Sequence, residues 1–210
     1  MEIKTTDTTG SRQVNGPEIF WGEITPCEHL VQIYEDDGVF LDALEGFAAA
    51  GIKDGDAVVI LATPVHLKGL EDRLRACGVD VDLAHSQGQY VPLDAEETLS
   101  KFMIEEWPDE DRFRQVITDL IARARSNGRQ VRVFGELVAI LWAQGRNGAT
   151  VRLEHLWHAL CESEAFPLFC AYPRIGFTQD ASASIREICE THSRVIGESG
   201  FMEFPDANAA

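Results

Sequence analysis

Ala57-Val58-Val59-Ile60-Leu61-Ala62 decides the fold. The run is apolar throughout, with no alternate position left for water. Such a strand is covered on both faces, which is the habit of parallel sheets packed between helices. What surrounds it agrees. Gly51 and the turn Lys53-Asp54-Gly55 stop a helix that opens at Glu35-Asp36-Asp37 and runs to about Ala50. Acidic residues suit that first turn because the helix N-terminus carries partial positive charge. After the run, a helix from Pro64 to about Cys77 ends at Gly78, a common helix stop.

Working outward, strand and helix keep alternating. His29 to Tyr34 reads as a short strand, Gln89 to Pro92 as a weaker one, Gln130 to Phe134 as a third, and Pro167 to Tyr172 as the last. A helix is expected from Ala95 to about Glu106, cut by Trp107-Pro108 because proline cannot continue the hydrogen-bond ladder. Phe113, Val116, Ile117, Leu120, Ile121 and Ala124 fall on one helical stripe. A short helix follows Gly135-Glu136 and reaches Trp142. Leu153, Leu156, Trp157 and Leu160 mark another, after a loop from Gly145 to Gly148. A terminal helix is expected from Asp180 to about Ile196, with Ile185, Ile188, Cys189, Val195 and Ile196 as its stripe. The pattern predicts an α/β fold: a mainly parallel sheet in three layers, flanked by helices on both faces. Residues 1–25 read as a polar arm whose aromatic end, Phe20-Trp21, pins to the core. Residues 26–197 form the domain and 198–210 a tail.

Composition narrows the function. The formal charge of -17 opposes contact with phosphate backbones and with anionic membrane surfaces, so neither nucleic acid nor membrane is an expected partner. No apolar stretch is long enough to span a bilayer, and the N-terminus lacks a secretory pattern, so a cytoplasmic location is expected. Cys27, Cys77, Cys161, Cys170 and Cys189 are widely spaced and form no CxxC pair. They read as free, mostly buried thiols.

The usual catalytic motifs are absent: no phosphate loop, no dinucleotide fingerprint, no nucleophile elbow and no HExxH. The turn after the first strand is Tyr34-Glu35-Asp36-Asp37, bulky and acidic where a phosphate-binding fold would place glycines. Polar and aromatic residues nonetheless stand at strand ends, where open parallel sheets bind ligands. These are Tyr34 and Glu35, then Thr63 and His66, then Glu136 and nearby Trp142, then Tyr172 and Arg174. Glu154 and Trp157 on the following helix complete the set of candidate ligand-binding residues. Taken singly, each has a structural reading as well: Glu136 or Thr63 as a helix cap, Tyr172 as a core residue with a satisfied hydroxyl. At helical spacing Glu154, His158 and Cys161 share one sector, yet no fourth ligand is evident, so no metal and no cofactor are assigned.

Several segments in order resemble one family. They are His29-x-x-Gln32-x-Tyr34-Glu35-Asp36-Asp37, Gly135-Glu136, Leu141-Trp142, Leu153-Glu154-x-x-Trp157, Leu168-Phe169-Cys170-Ala171-Tyr172-Pro173 and Ile188-Cys189-x-x-His192-Ser193. Together, over about residues 27–196, they resemble the MEDS domain, the sensory domain named for methanogens, methylotrophs and the dichloromethane regulator. The resemblance implies a fold related to the RecA/KaiC-type ATPases with the phosphate loop lost. It also implies a non-enzymatic sensing role toward small, hydrocarbon-derived ligands. Family members often precede a histidine kinase or a DNA-binding domain; here only a short tail follows residue 196. The expectation is therefore a ligand-responsive regulatory module that signals through a separate histidine kinase or transcription regulator. A protein-interaction adaptor without a ligand, and a divergent nucleotide hydrolase using Glu136, are the alternatives. The stripe of the terminal helix serves either a homodimer or the chain's own core.

Overall fold

The computed structural model describes residues 21–177, 182–197 and 200–201. Its elements are β1 (His29–Tyr34), α1 (Asp37–Asp54), β2 (Ala57–Ala62), α2 (Pro64–Ala76), α3 (Val81–Ser86), β3 (Tyr90–Asp94) and α4 (Ala95–Ser100). Then come β4 (Met103–Ile104), β5 (Trp107–Pro108), α5 (Glu110–Ala124), β6 (Val131–Gly135), α6 (Leu137–Ala143) and α7 (Asn147–Glu164). The chain ends through β7 (Leu168–Pro173), α8 (Ser182–Thr191), β8 (Arg194–Gly197) and β9 (Gly200–Phe201).

The sheet runs β3-β2-β6-β7-β1-β8-β9, parallel throughout except for the antiparallel β8–β9 pair. Every residue of β2 is buried, as its unbroken apolar run requires. Alternate residues of each strand feed two separate cores, because side chains on a strand point to opposite faces in turn. Val59, Val133, Cys170 and Tyr172 join α4 to α8 on one face. Val58, Ile60, Phe134 and Phe169 join α1, α2 and α3 on the other. The three-layer α/β architecture is thus established. The same pattern explains the free cysteines: Cys161, Cys170 and Cys189 are buried in the first core, while Cys27 and Cys77 are exposed.

The second core seats α1 very close to the sheet. A Cβ on Gly51 would stand 2.6 Å from Val58 Cγ2 and 2.9 Å from Arg132 Cδ. Arg132 itself is buried. It bonds Asp56 at 2.6 Å, Asp54 at 2.8 Å and the Trp21 carbonyl at 2.6 Å. Trp21 is buried against Phe47 and Phe169, as expected of it, whereas Phe20 lies outside the described residues.

Several expectations need correction. The first helix runs through Gly51 to Asp54 and is capped at Gly55, whose φ of 89° ends it. The helix expected to Glu106 stops at Ser100. Glu105 takes a left-handed backbone (φ 56°), folding the chain into the β4–β5 hairpin, and this brings Phe102 edge-on to Phe113. The terminal helix stops at Thr191, and Val195 and Ile196 lie instead in β8, parallel to β1. Two β-branched neighbours that must serve opposite faces suit a strand better than one helical stripe. Within the stretch read as tail, Gly200–Phe201 pairs with β8. Finally, α3 was not anticipated; Asp80 caps it by accepting from Leu83 N at 2.9 Å. The weak third strand is real, and its Pro92 is tolerated because β3 pairs on one side only.

Helix propensity favours alanine over glycine by about 1 kcal/mol in a helix interior. Gly51→Ala is nevertheless expected to lower stability by about 1–2 kcal/mol, since overpacking outweighs propensity. Urea unfolding checks this; a midpoint at or above the parent's would mean that α1 lifts off the sheet at no cost.

Candidate functional site

The connections leaving β2 and β6 run in opposite directions. From β2 the chain passes through α2 and α3 to β3; from β6 it passes through α6 and α7 to β7. Adjacent parallel strands whose connections diverge leave a crevice at their carboxyl ends, which is where such sheets bind ligands. Glu136 and Thr63 occupy that crevice. Glu136 Oε2 accepts from Thr63 N at 2.8 Å, Oε1 lies 2.7 Å from His66 Nδ1, and the Glu136 N–H donates to Leu61 O at 2.8 Å. Thr63 is the cap of α2, so the same residue that starts the helix also orients the carboxylate.

Tyr34, at the end of β1, closes the cluster. Its ring stacks on Phe40 at 4.8 Å, and Phe40 meets the His66 ring edge-on at 4.9 Å. Burial raises the Tyr34 hydroxyl pKa, and the charges of Glu136 and Asp37 raise it further. His66 is also raised. Its bond to Glu136 is the main cause and partial burial opposes it. Thus three residues named from the sequence (Thr63, His66, Glu136) bond to one another, and a fourth, Tyr34, is linked to them through the Phe40 ring.

The acidic turn beside them is already occupied by its own side chains. Asp36 caps α1 by accepting from Gly38 N at 2.8 Å and Val39 N at 3.2 Å. Glu35 pairs at the surface with Arg174 at 3.1 Å. The helix N-terminus that would cradle a phosphate is therefore filled by a carboxylate of the chain.

The remaining named residues form a different, closed group. Tyr172 donates its hydroxyl to Glu154 Oε1, and both are fully buried between the sheet and α7. Around the other oxygen, Glu154 Oε2, stand His29 Nε2 at 3.5 Å, His192 Nε2 at 3.5 Å and Cys170 Sγ at 3.8 Å. Cys170 Sγ and His29 Nε2 are 3.5 Å apart, and one ligand-type atom from each of the four residues lies within 4.8 Å of every other. Burial pushes Glu154 up to about 8, against the opposing bonds from Tyr172 and Cys170. Burial depresses His192 to about 4, and it depresses His29 with help from His192 and His158. The 3.5 Å approaches are within ion-pair range, while desolvation disfavours the charged form on both sides.

Trp142 packs edge-on to Tyr172 and tilted against Phe177, and Trp157 is buried edge-on against Phe113. Both belong to the core that α4 to α8 form with the sheet, and the Trp157 ring lies against Gly135 at the end of β6. The sector Glu154/His158/Cys161 does not assemble: Cys161 Sγ turns to Phe166 O at 3.0 Å, and His158 faces Glu162 at 3.6 Å. Its place is taken by His29, Cys170 and His192, which the local spacing around Glu154 does not reveal. The one available signal was polarity in apolar surroundings: a His opening an apolar strand, a Cys inside PLFCAY and a His ending an amphipathic helix. Of the stripe of α8, Ile188 and Cys189 are buried within the chain and Ile185 is partly buried.

The His66–Glu136 pair sets a pH dependence. With its folded pKa raised, His66 contributes stability that is complete below the unfolded value of about 6.5. That contribution disappears as pH rises through the folded value. In an NMR titration His66 is expected to titrate above a free histidine, and Glu136→Gln should return it to or below 6.5. An unchanged His66 midpoint in that variant would mean that the carboxylate does not hold the proton.

No helix among the described residues is long and apolar enough to cross a membrane. No curated protein gives a significant match to the chain. The family model described as MEDS, the methanogen/methylotroph and DcmR sensory domain, matches residues 28–193. That span takes in β1, the crevice, the buried Glu154 group and α8, well over half of the sequence. The chain therefore belongs to the MEDS family of sensory domains.

Proposed function

We propose that the protein is a non-catalytic, ligand-responsive regulatory module that receives a small polar organic molecule in the crevice between β2 and β6. The observation that carries this reading is the Thr63–His66–Glu136 group at the divergence of the two connections, with Glu136 only 7% exposed. The Glu136 carboxylate has acceptor capacity beyond these two bonds and the His66 ring has a second nitrogen, so the pair offers both an acceptor and a donor to a ligand that enters from the strand ends.

Against nucleotide turnover stand two features. Asp36 fills the α1 terminus, and Glu136 is held by its own neighbours, through Oε2 to Thr63 N and through Oε1 to His66 Nδ1. A small-molecule receptor is favoured over a hydrolase on these grounds. Signalling would pass through a separate protein, a histidine kinase or transcription regulator, by a shift in the packing of α8. A ligand shifts such an equilibrium only by its differential affinity for the two states.

A thermal-shift screen of short organic compounds against the full chain tests the reading. The expected hit raises the melting temperature of the parent and loses at least tenfold in affinity, about 1.4 kcal/mol, in Glu136→Ala or His66→Ala. ATP with magnesium is expected to give no shift and no turnover. A hit that binds both variants as well as the parent would move the site elsewhere, and Glu136-dependent ATP hydrolysis would overturn the reading.

A further inference from the structure

We propose that His29, Glu154, Cys170 and His192 form a closed, four-coordinate site for a borderline-soft divalent metal ion, zinc or a close substitute. The separations come first. A tetrahedral zinc site with nitrogen, oxygen and sulfur ligands has ligand–ligand edges of about 3.3–3.6 Å, from its ordinary bond lengths. Edges on Glu154 Oε2 measure 3.5 Å to His29 Nε2, 3.5 Å to His192 Nε2 and 3.8 Å to Cys170 Sγ; the His29–Cys170 edge is 3.5 Å. The nitrogen–oxygen edges exceed a normal hydrogen bond, and one ligand-type atom from each of the four residues lies within 4.8 Å of every other.

Tautomer and burial come next. His192 Nδ1 lies 2.6 Å from the Ile188 carbonyl, which only accepts, so Nδ1 carries the proton and Nε2 a bare lone pair. That Nε2 is buried, has no hydrogen-bond partner among the described residues, and faces a carboxyl oxygen. Metal-bound histidines donate their second nitrogen to a backbone carbonyl in the same manner, and ligating carboxylates are themselves held by a neighbour. Tyr172 supplies that hold on Glu154 Oε1.

Charge supplies the third reason. A dication with one carboxylate, one thiolate and two neutral imidazoles sums to zero, which a dry interior accepts. Binding would release the protons of the Cys170 thiol and the Glu154 carboxyl to solvent. All four ligands are buried, so no coordination position is open to substrate and the ion's role is to hold structure. It would tie the start of β1, the middle of β7, the buried face of α7 and the α8–β8 connection into one knot. Backbone bonds already link that connection to β1, from Ser193 N to His29 O at 2.7 Å. Each ligand comes from a different one of the segments that carry the family likeness. The site is independent of the Glu136 crevice, and failure of either leaves the other standing.

The test is metal analysis of the full chain purified without chelators, followed by reconstitution with Zn²⁺ or Co²⁺. The expected result is about one equivalent retained and a first shell of one sulfur with three nitrogen or oxygen atoms by X-ray absorption. The Co²⁺ form should show the intense ligand-field bands of four-coordination and a thiolate charge-transfer band. Cys170→Ser and His192→Ala should lose the metal, whereas Cys161→Ser and His158→Ala should keep it. The spectroscopy on the parent stands even if the first two variants fold poorly. No retained metal together with no thermal shift on adding Zn²⁺ or Co²⁺, or a sulfur-free shell, would overturn the proposal. So would binding that survives the Cys170→Ser/His192→Ala double variant.

Discussion

Everything in this molecule depends on a parallel sheet that must be dry on both faces. Because successive side chains alternate, each strand serves two masters, and any polar residue inside it has to be satisfied within the protein. β1 shows the consequence. Leu30 and Tyr34 join the α1–α2 core, while Val31 and Ile33 face the α7–α8 core. His29, in step with Val31 and Ile33, is carried into the second layer, where the side chains of Glu154, Cys170 and His192 already lie.

The fold therefore sorts its polar groups by depth. At the carboxyl edge, Glu136 and His66 keep some contact with water, and their bond raises the histidine. Inside, where the side chains are fully buried, the same residue types are driven the other way: Glu154 upward, His29 and His192 downward. Desolvation decides the second case and a hydrogen-bonded charge partner the first. One pair is suited to meeting a ligand from outside. The other group is closed off by the packing of α7 and α8 against the sheet.

The acidic turn after β1 separates this sheet from one that holds polyphosphates. A glycine-rich turn leaves its amides free; here Asp36 consumes two of them and Glu35 reaches away to Arg174. The chain keeps the crevice that strand order creates, and fills the helix terminus with its own charge.

Much of the architecture was legible in one dimension. The unbroken run Ala57 to Ala62 announced a doubly covered strand, and the stripe from Phe113 to Ala124 announced α5, because burial imposes those periods on any chain. Local pattern failed where the long-range pairing decided: Val195 and Ile196 fit a helix stripe until β1 offers them an edge, and α4 stops short because Phe102 is drawn onto Phe113. The same division holds for chemistry. Residue order alone determined the acidic turn, the missing phosphate loop and the polar residues that end β1, β2 and β6. Only the tertiary structure decided which of them meet, because residues 29, 154, 170 and 192 share no local spacing and are brought together by sheet register and by the packing of α7 and α8 against it.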